Sequence, residues 1–340
     1  MINLGIIGTN WITHQFVEAA LATKKYDLVA VYSRSLEKAQ EFGRRYHEDI
    51  EYATDLKTFF NLAHLHTIYI ASPNALHFEQ AKAAIIAGKN VIVEKPAFST
   101  PQEMDEIIEL ANLHNVFFFE AARNIHEKAF DTISEFLPLK DHIIGANFTF
   151  MKYSSRYDAV LDGEEPNIFS PQFSGGTIMD LGVYPLYAAL GWFGVPQKAH
   201  YFARKIATGV DGIGTIILRY DLFDVTILQG KIGDSFLPSE IYFDNGTLTL
   251  NGINSFEKAE FYDRNAKKRL LLPITLKENP MEEEALAFAN VMNHPTDKNQ
   301  GVLYEEWVEL ARNVNQLIYD LRQQAGISFA ADKKDEEKNS

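Results

Sequence analysis

Up to about residue 120, short apolar runs alternate with segments of helical period. Ile2–Gly8, Leu28–Tyr32, Thr67–Ala71, Val91–Val93 and Val116–Phe119 read as strands, the inner ones almost free of polar residues, as strands covered on both faces are. Between them the pattern predicts helices over Trp11–Thr23, Leu36 to about Tyr46, a short one capped by Asp55, then Asn74–Ala87 and Pro101–His114. Gly88 suits the end of one and Pro101 the first turn of another. Such alternation calls for a parallel sheet with helices on both faces.

Beyond Asn124 the period changes. After a helix from about His126 to Phe136 comes a long alternating strand, Ile144–Met151, and then strands near 199–207, 214–220, 225–231, 239–243, 247–251, 259–262 and 269–272. Asn245-Gly246 between two of these is a hairpin signal. Two helices follow, Met281–Met292 and Tyr304–Gln324, the second with Trp307, Leu310, Val314, Leu317 and Leu321 on one stripe. The expected fold is therefore α/β, a parallel-sheet domain followed by an α+β domain with a large, mostly antiparallel sheet. Boundaries are expected at 1–122 and 123–330, with 331–340 a disordered charged tail.

Chemistry gathers at the strand ends, where open parallel sheets bind ligands. Val91–Val93 runs into Glu94-Lys95-Pro96, which places Lys95 at the mouth of such a crevice; a solvated lysine at a strand end reads the same way. The first strand-to-helix turn, Gly8-Thr9-Asn10-Trp11-Ile12-Thr13, approaches the dinucleotide fingerprint but replaces its second and third glycines by Asn10 and Thr13. Asparagine tolerates positive φ, so the tight turn is expected to survive, with the Asn10 side chain crowding a pyrophosphate. The second strand ends in Ser33-Arg34-Ser35, with Lys38 a turn later. An NAD site usually carries an acid there; a hydroxyl and two cations suit a ribose 2′-phosphate, although a helix cap beside a surface arginine is also compatible.

Composition narrows the classes. The 340 residues carry a net charge of −14 and no cysteine, which argues against a phosphate-backbone or anionic-membrane partner and removes thiolate chemistry. No stretch approaches a membrane span, so no membrane and no nucleic acid are expected, and the location is read as cytoplasmic. The ten histidines show no metal-ligand spacing.

Gly5-Ile6-Ile7-Gly8-Thr9, Ser72-Pro73-Asn74-Ala75-Leu76-His77, Val93-Glu94-Lys95-Pro96-Ala97 and Gly175-Gly176-Thr177-Ile178-Met179-Asp180-Leu181-Gly182-Val183-Tyr184 occur in this order. Together they resemble the Gfo/Idh/MocA oxidoreductases over nearly the whole chain. The resemblance implies a Rossmann-type first domain holding NADP (NAD possible) through Gly8, Thr9, Asn10, Trp11, Ile12, Ser33, Arg34, Lys38, Glu94, Lys95 and Pro96. Ser72, Pro73, Asn74 and His77 would border the nicotinamide ribose. It also implies a homo-oligomer, a dimer or a dimer of dimers, through the second domain's sheet.

Asp180 and Tyr184, four apart, would share a helix face, although Pro185 disturbs that helix. The implied reaction is hydride transfer between a nicotinamide and a carbinol carbon of a sugar, polyol or dihydrodiol. Tyr184, a phenol of intrinsic pKa about 10, would be the acid/base; Lys95 would favour its phenolate and stabilise the alkoxide. Asp180 would orient the substrate hydroxyl or the lysine, with Tyr153, Arg156 and Arg123 near the pocket. A non-catalytic nucleotide-binding regulator on the same scaffold is the alternative.

Overall fold

Residues 1–333 are described by the computed structural model, and the chain divides into two compact units. In the first, β1 (Ile2–Ile7), β2 (Tyr26–Tyr32), β3 (Glu51–Ala53), β4 (Thr67–Ile70), β5 (Asn90–Glu94) and β6 (Phe118–Ala121) form one parallel sheet in the order β3-β2-β1-β4-β5-β6. The intervening helices are α1 (Trp11–Ala22), α2 (Leu36–Gly43), α3 (Leu56–Phe60), α4 (His77–Ile86) and α5 (Pro101–His114). Asn10, Ser35, Asp55 and Thr100 cap α1, α2, α3 and α5, each accepting from an amide three residues on. These side chains satisfy amides that a helix start leaves without a partner.

The second unit holds α6 (Lys128–Phe136), α7 (Arg156–Leu161), α8 (Val183–Phe193) and an eight-stranded sheet. Its strands are β7 (Ile143–Met151), β8 (Lys198–Lys205), β9 (Asp211–Arg219), β10 (Asp224–Gly230), β11 (Ser239–Phe243), β12 (Gly246–Leu250), β13 (Ala259–Asp263) and β14 (Lys268–Leu271). All pairings are antiparallel except β7 with β10. Alternation along them buries one face through Phe148, Ile216, Ile227 and Ile241. The opposite face, with Phe202, Ile217, Leu228 and Tyr242, stays partly open. Two helices follow, α9 (Glu282–Asn293) and α10 (Lys298–Gln324).

Three features depart from the sequence reading. The three-residue β3 was not expected. Residues Lys277–Arg312 return to the first unit, whereas 123–330 was expected to form the second domain throughout. The reason is apolar: Phe288 of α9 stacks on Phe119 at 4.6 Å, and the Tyr26 hydroxyl donates to the Ala285 carbonyl at 2.8 Å. Finally, the expected tail starts too early. Residues 330–333 are helical, and Asp332 pairs with the fully buried Arg322 at 2.6 Å; 334–340, the rest of that tail, lie outside the described residues.

Candidate active site

A cleft of about 650 Å³ opens at the carboxyl ends of β1, β2 and β4, where the strand order turns back on itself and ligands of such sheets bind. Gly8, Thr9, Asn10, Ser33, Arg34, Lys38, Ser72 and Pro73 line it, together with residues the sequence did not single out, among them His14, Tyr32, Glu41, Phe42, Arg45 and Gln80. Gly8 has φ +104°, and a Cβ there would meet the Ala71 carbonyl oxygen at 2.6 Å. Only glycine fits a turn so close to β4.

Asn10 does not take the positive φ expected of it. At φ −95° it is extended, and its side chain accepts from the Thr13 amide while donating to the Ala71 carbonyl at 3.1 Å. Thr13, expected to loosen the packing, is fully buried. At the second strand's end, Ser35 does the capping, and Arg34, Lys38 and Arg45 are exposed cations at the cleft. The His14 ring stacks on Phe42 at 4.0 Å; burial, then Arg45, holds its pKa below the usual value.

Trp11, Ile12, Asn74, His77, Glu94, Lys95 and Pro96 do not line this cleft. Trp11 is 71% exposed, and Asn74 starts a short 3-10 turn. The His77 ring is buried, with Nε2 2.8 Å from the Ser72 carbonyl oxygen and Nδ1 3.1 Å from that of Ala97. It fastens two strand ends together, where the sequence suggested a ribose contact. Burial keeps its pKa low despite those carbonyls. Glu94, likewise buried, accepts from the Tyr69 hydroxyl, and Glu120 accepts from the Ala97 amide at 3.0 Å. Lys95 is half-buried at the end of β5 and joined to Pro96 by a cis peptide bond.

In the second unit, Asp180 lies in a π-helical turn, Ile178–Gly182, that runs directly into α8, where Tyr184 and Pro185 occupy the first turn. Pro185, which has no amide hydrogen, follows this π-helical turn, where the register of the helical hydrogen bonds changes. The buried Tyr184 ring meets Phe150 edge-on at 5.8 Å, and the Arg123 guanidinium lies 5.8 Å from its centroid. Asn124 donates to the Tyr184 carbonyl at 3.1 Å and to that of Ile253 at 3.0 Å. Tyr153 turns instead to Asp158, at 2.6 Å.

Asp180 forms an ion pair with Lys231, a residue the sequence reading missed. The same turn is held at its start by Asp211, which accepts from the Thr177 amide at 3.1 Å, the Ile178 amide at 2.8 Å and the Tyr201 hydroxyl. Burial raises the Asp211 pKa, against these hydrogen bonds. Gln229 donates to the Tyr201 hydroxyl at 2.7 Å. The signal was present: the covered face of β10 reads Val225, Ile227, Gln229, and the next position on it is Lys231, so an apolar face turns polar where it meets this turn.

The family model for an oxidoreductase family with an NAD-binding Rossmann fold matches residues 2–121. YgjR of Escherichia coli K12, an uncharacterized oxidoreductase, is 38% identical over 334 residues, 98% of this chain and 99% of its own. The chain belongs to the Gfo/Idh/MocA oxidoreductases. It is thus an NAD(P)-dependent oxidoreductase. The scyllo-inositol 2-dehydrogenase (NADP(+)) IolU of Bacillus subtilis is 35% identical over 98% of this chain and 99% of its own. A trans-1,2-dihydrobenzene-1,2-diol dehydrogenase of Mus musculus is 24% identical over 97% and 98%. Among solved structures, KijD10, a 3-ketoreductase from Actinomadura kijaniata in complex with NADP and TDP-benzene, superposes with a TM-score of 0.80 over 95% of this chain and 97% of its own, at 19% identity. That likeness shows the fold, both the parallel and the mostly antiparallel sheet. None of these relatives is a non-catalytic regulator by name. Among the described residues no helix is long and apolar enough to cross a membrane, and no group of three or more His, Asp or Glu could hold a metal ion.

Proposed function

We propose that the chain is an NADP-dependent dehydrogenase or reductase acting on a carbinol carbon of a sugar, polyol or dihydrodiol. The observation that carries this reading is the helical run bearing Asp180 and Tyr184, which brings a carboxylate and a phenol together with the charges of Lys231 and Arg123. The cleft in the first unit fits the cofactor. Gly8 makes the tight turn into α1, whose start suits a pyrophosphate, and Arg34, Lys38 and Arg45 suit a 2′-phosphate. The relative named a scyllo-inositol 2-dehydrogenase supports both the cofactor and a polyol.

When bound, the nicotinamide supplies or accepts the hydride. Tyr184 moves the proton at the carbinol oxygen. Lys95 stabilises the charge developing on that oxygen. Asp180 accepts from a substrate hydroxyl and fixes its orientation. The decisive experiment follows NADPH formation with inositol isomers, aldoses and a trans-dihydrodiol; turnover of at least one is expected, and cofactor binding without turnover would defeat the proposal.

The partly open face of the eight-stranded sheet supports a homo-oligomer, most simply a two-fold dimer. Light scattering at micromolar concentration should give at least twice the chain mass. A cytoplasmic location belongs to the same proposal, since a diffusible nicotinamide cofactor has to be at hand.

A further inference from the structure

We propose that Lys231 is a positioning residue of the hydride-transfer site, holding the Asp180 carboxylate aimed at a substrate hydroxyl. The inference rests on the functional reading above. Lys231 follows β10 on the face that begins with Val225 and Ile227, and its side chain is 6% exposed against 25% for Asp180. The ammonium therefore stands behind the carboxylate, which keeps an accessible edge. Burying an ammonium costs several kcal/mol before its partner offsets it, and lysine is seldom buried without a pair.

The lysine is also fixed from behind. Its amide donates to the Gly212 carbonyl at 2.8 Å and its carbonyl accepts from the Ser154 amide at 2.9 Å. Its ammonium lies 5.6 Å from the Phe169 ring centroid. With Asp211 holding the start of the turn and Lys231 holding Asp180, the π-helical segment is tied to the sheet at both places. The charge has a chemical role as well. A bare carboxylate beside the reacting carbon would oppose an alkoxide, whereas the Asp180–Lys231 pair is neutral overall and still presents an acceptor oxygen.

The test is a double-variant cycle on the full chain with Lys231→Met, Asp180→Asn and both, together with Lys231→Arg. Lys231→Met should lower kcat/KM about 10²-fold, the scale of a misplaced positioning group, while NADPH titration stays nearly unchanged. Lys231→Arg should recover part of the loss. Once Asp180→Asn is present, Lys231→Met should add almost nothing; losses that multiply would overturn the inference. A crystal structure of Lys231→Met should show the Asp180 carboxylate displaced, and an unmoved carboxylate would overturn it too. If Lys231→Met does not fold, Lys231→Gln takes its place in both comparisons. Lack of turnover by the unmodified protein would count against the functional reading alone, because the crystallographic comparison still decides what Lys231 does.

Discussion

Asn10 and Thr13, which replace two fingerprint glycines, are bonded to each other: the Asn10 side-chain oxygen accepts from the Thr13 amide at 3.3 Å and from its hydroxyl at 3.1 Å. The pair stands in for the missing glycines by capping α1 and, through Asn10, tying it to the end of β4. Asn10→Ala should cost about 1 kcal/mol of stability, as lost caps do, read from urea unfolding. Asn10→Gly should cost less than Asn10→Ala, as glycine does at caps, and bind NADPH at least as well, since it removes a side chain that lines the cleft.

NADPH should bind more tightly than NADH. Arg34→Ala should weaken NADPH about 10- to 100-fold, the loss of a charge-assisted contact, and leave NADH nearly unchanged. Arg45→Ala should act in the same direction. Fluorescence titration checks both, and equal affinities in the unmodified protein would refute the assignment.

Tyr184→Phe should reduce turnover about 10²–10⁴-fold on the best substrate without weakening NADPH, because Tyr184 is not among the residues that line the cleft. Full activity in this variant would remove Tyr184 from the mechanism.

Stability should fall on acidification. Burial lowers the His126 pKa from 6.5 to about 3. Between those values the unfolded chain binds a proton that the folded chain refuses. The contribution of His126 is thus complete above about pH 6.5 and declines by about 1.4 kcal/mol per pH unit as pH falls through the window. His77 and His14 shift the same way. Urea unfolding from pH 7 to pH 4.5 should show a shallower dependence in His126→Asn; parallel curves would contradict this.

Much of the fold was legible because strand length, helix period and caps are local signals. Asp55 and Pro101 marked helix starts where the structure has them. Glu94-Lys95-Pro96 and Asp180–Tyr184 were legible as motifs. What each side chain touches was not. His77 opens α4, and a first turn does not reveal which of its residues face inward; its ring turned to carbonyls on two other strand ends. Lys231 lies 51 residues beyond Asp180, and only the pairing of β10 with β7 and β9 brings it back. Likewise, the stripe on the last helix announced burial without naming the surface buried. At Asn10, strength as a helix cap prevails over tolerance of positive φ.

The return of Lys277–Arg312 to the first unit has a consequence for biosynthesis. A ribosome releases the six parallel strands long before it makes Met281, Ala285 and Phe288, which complete their core. Until then Phe119 lacks the Phe288 ring and Tyr26 the Ala285 carbonyl that they meet in the folded unit. A chain stopped at Ala121 would contain every strand of that sheet and lack Met281, Ala285 and Phe288 from its core.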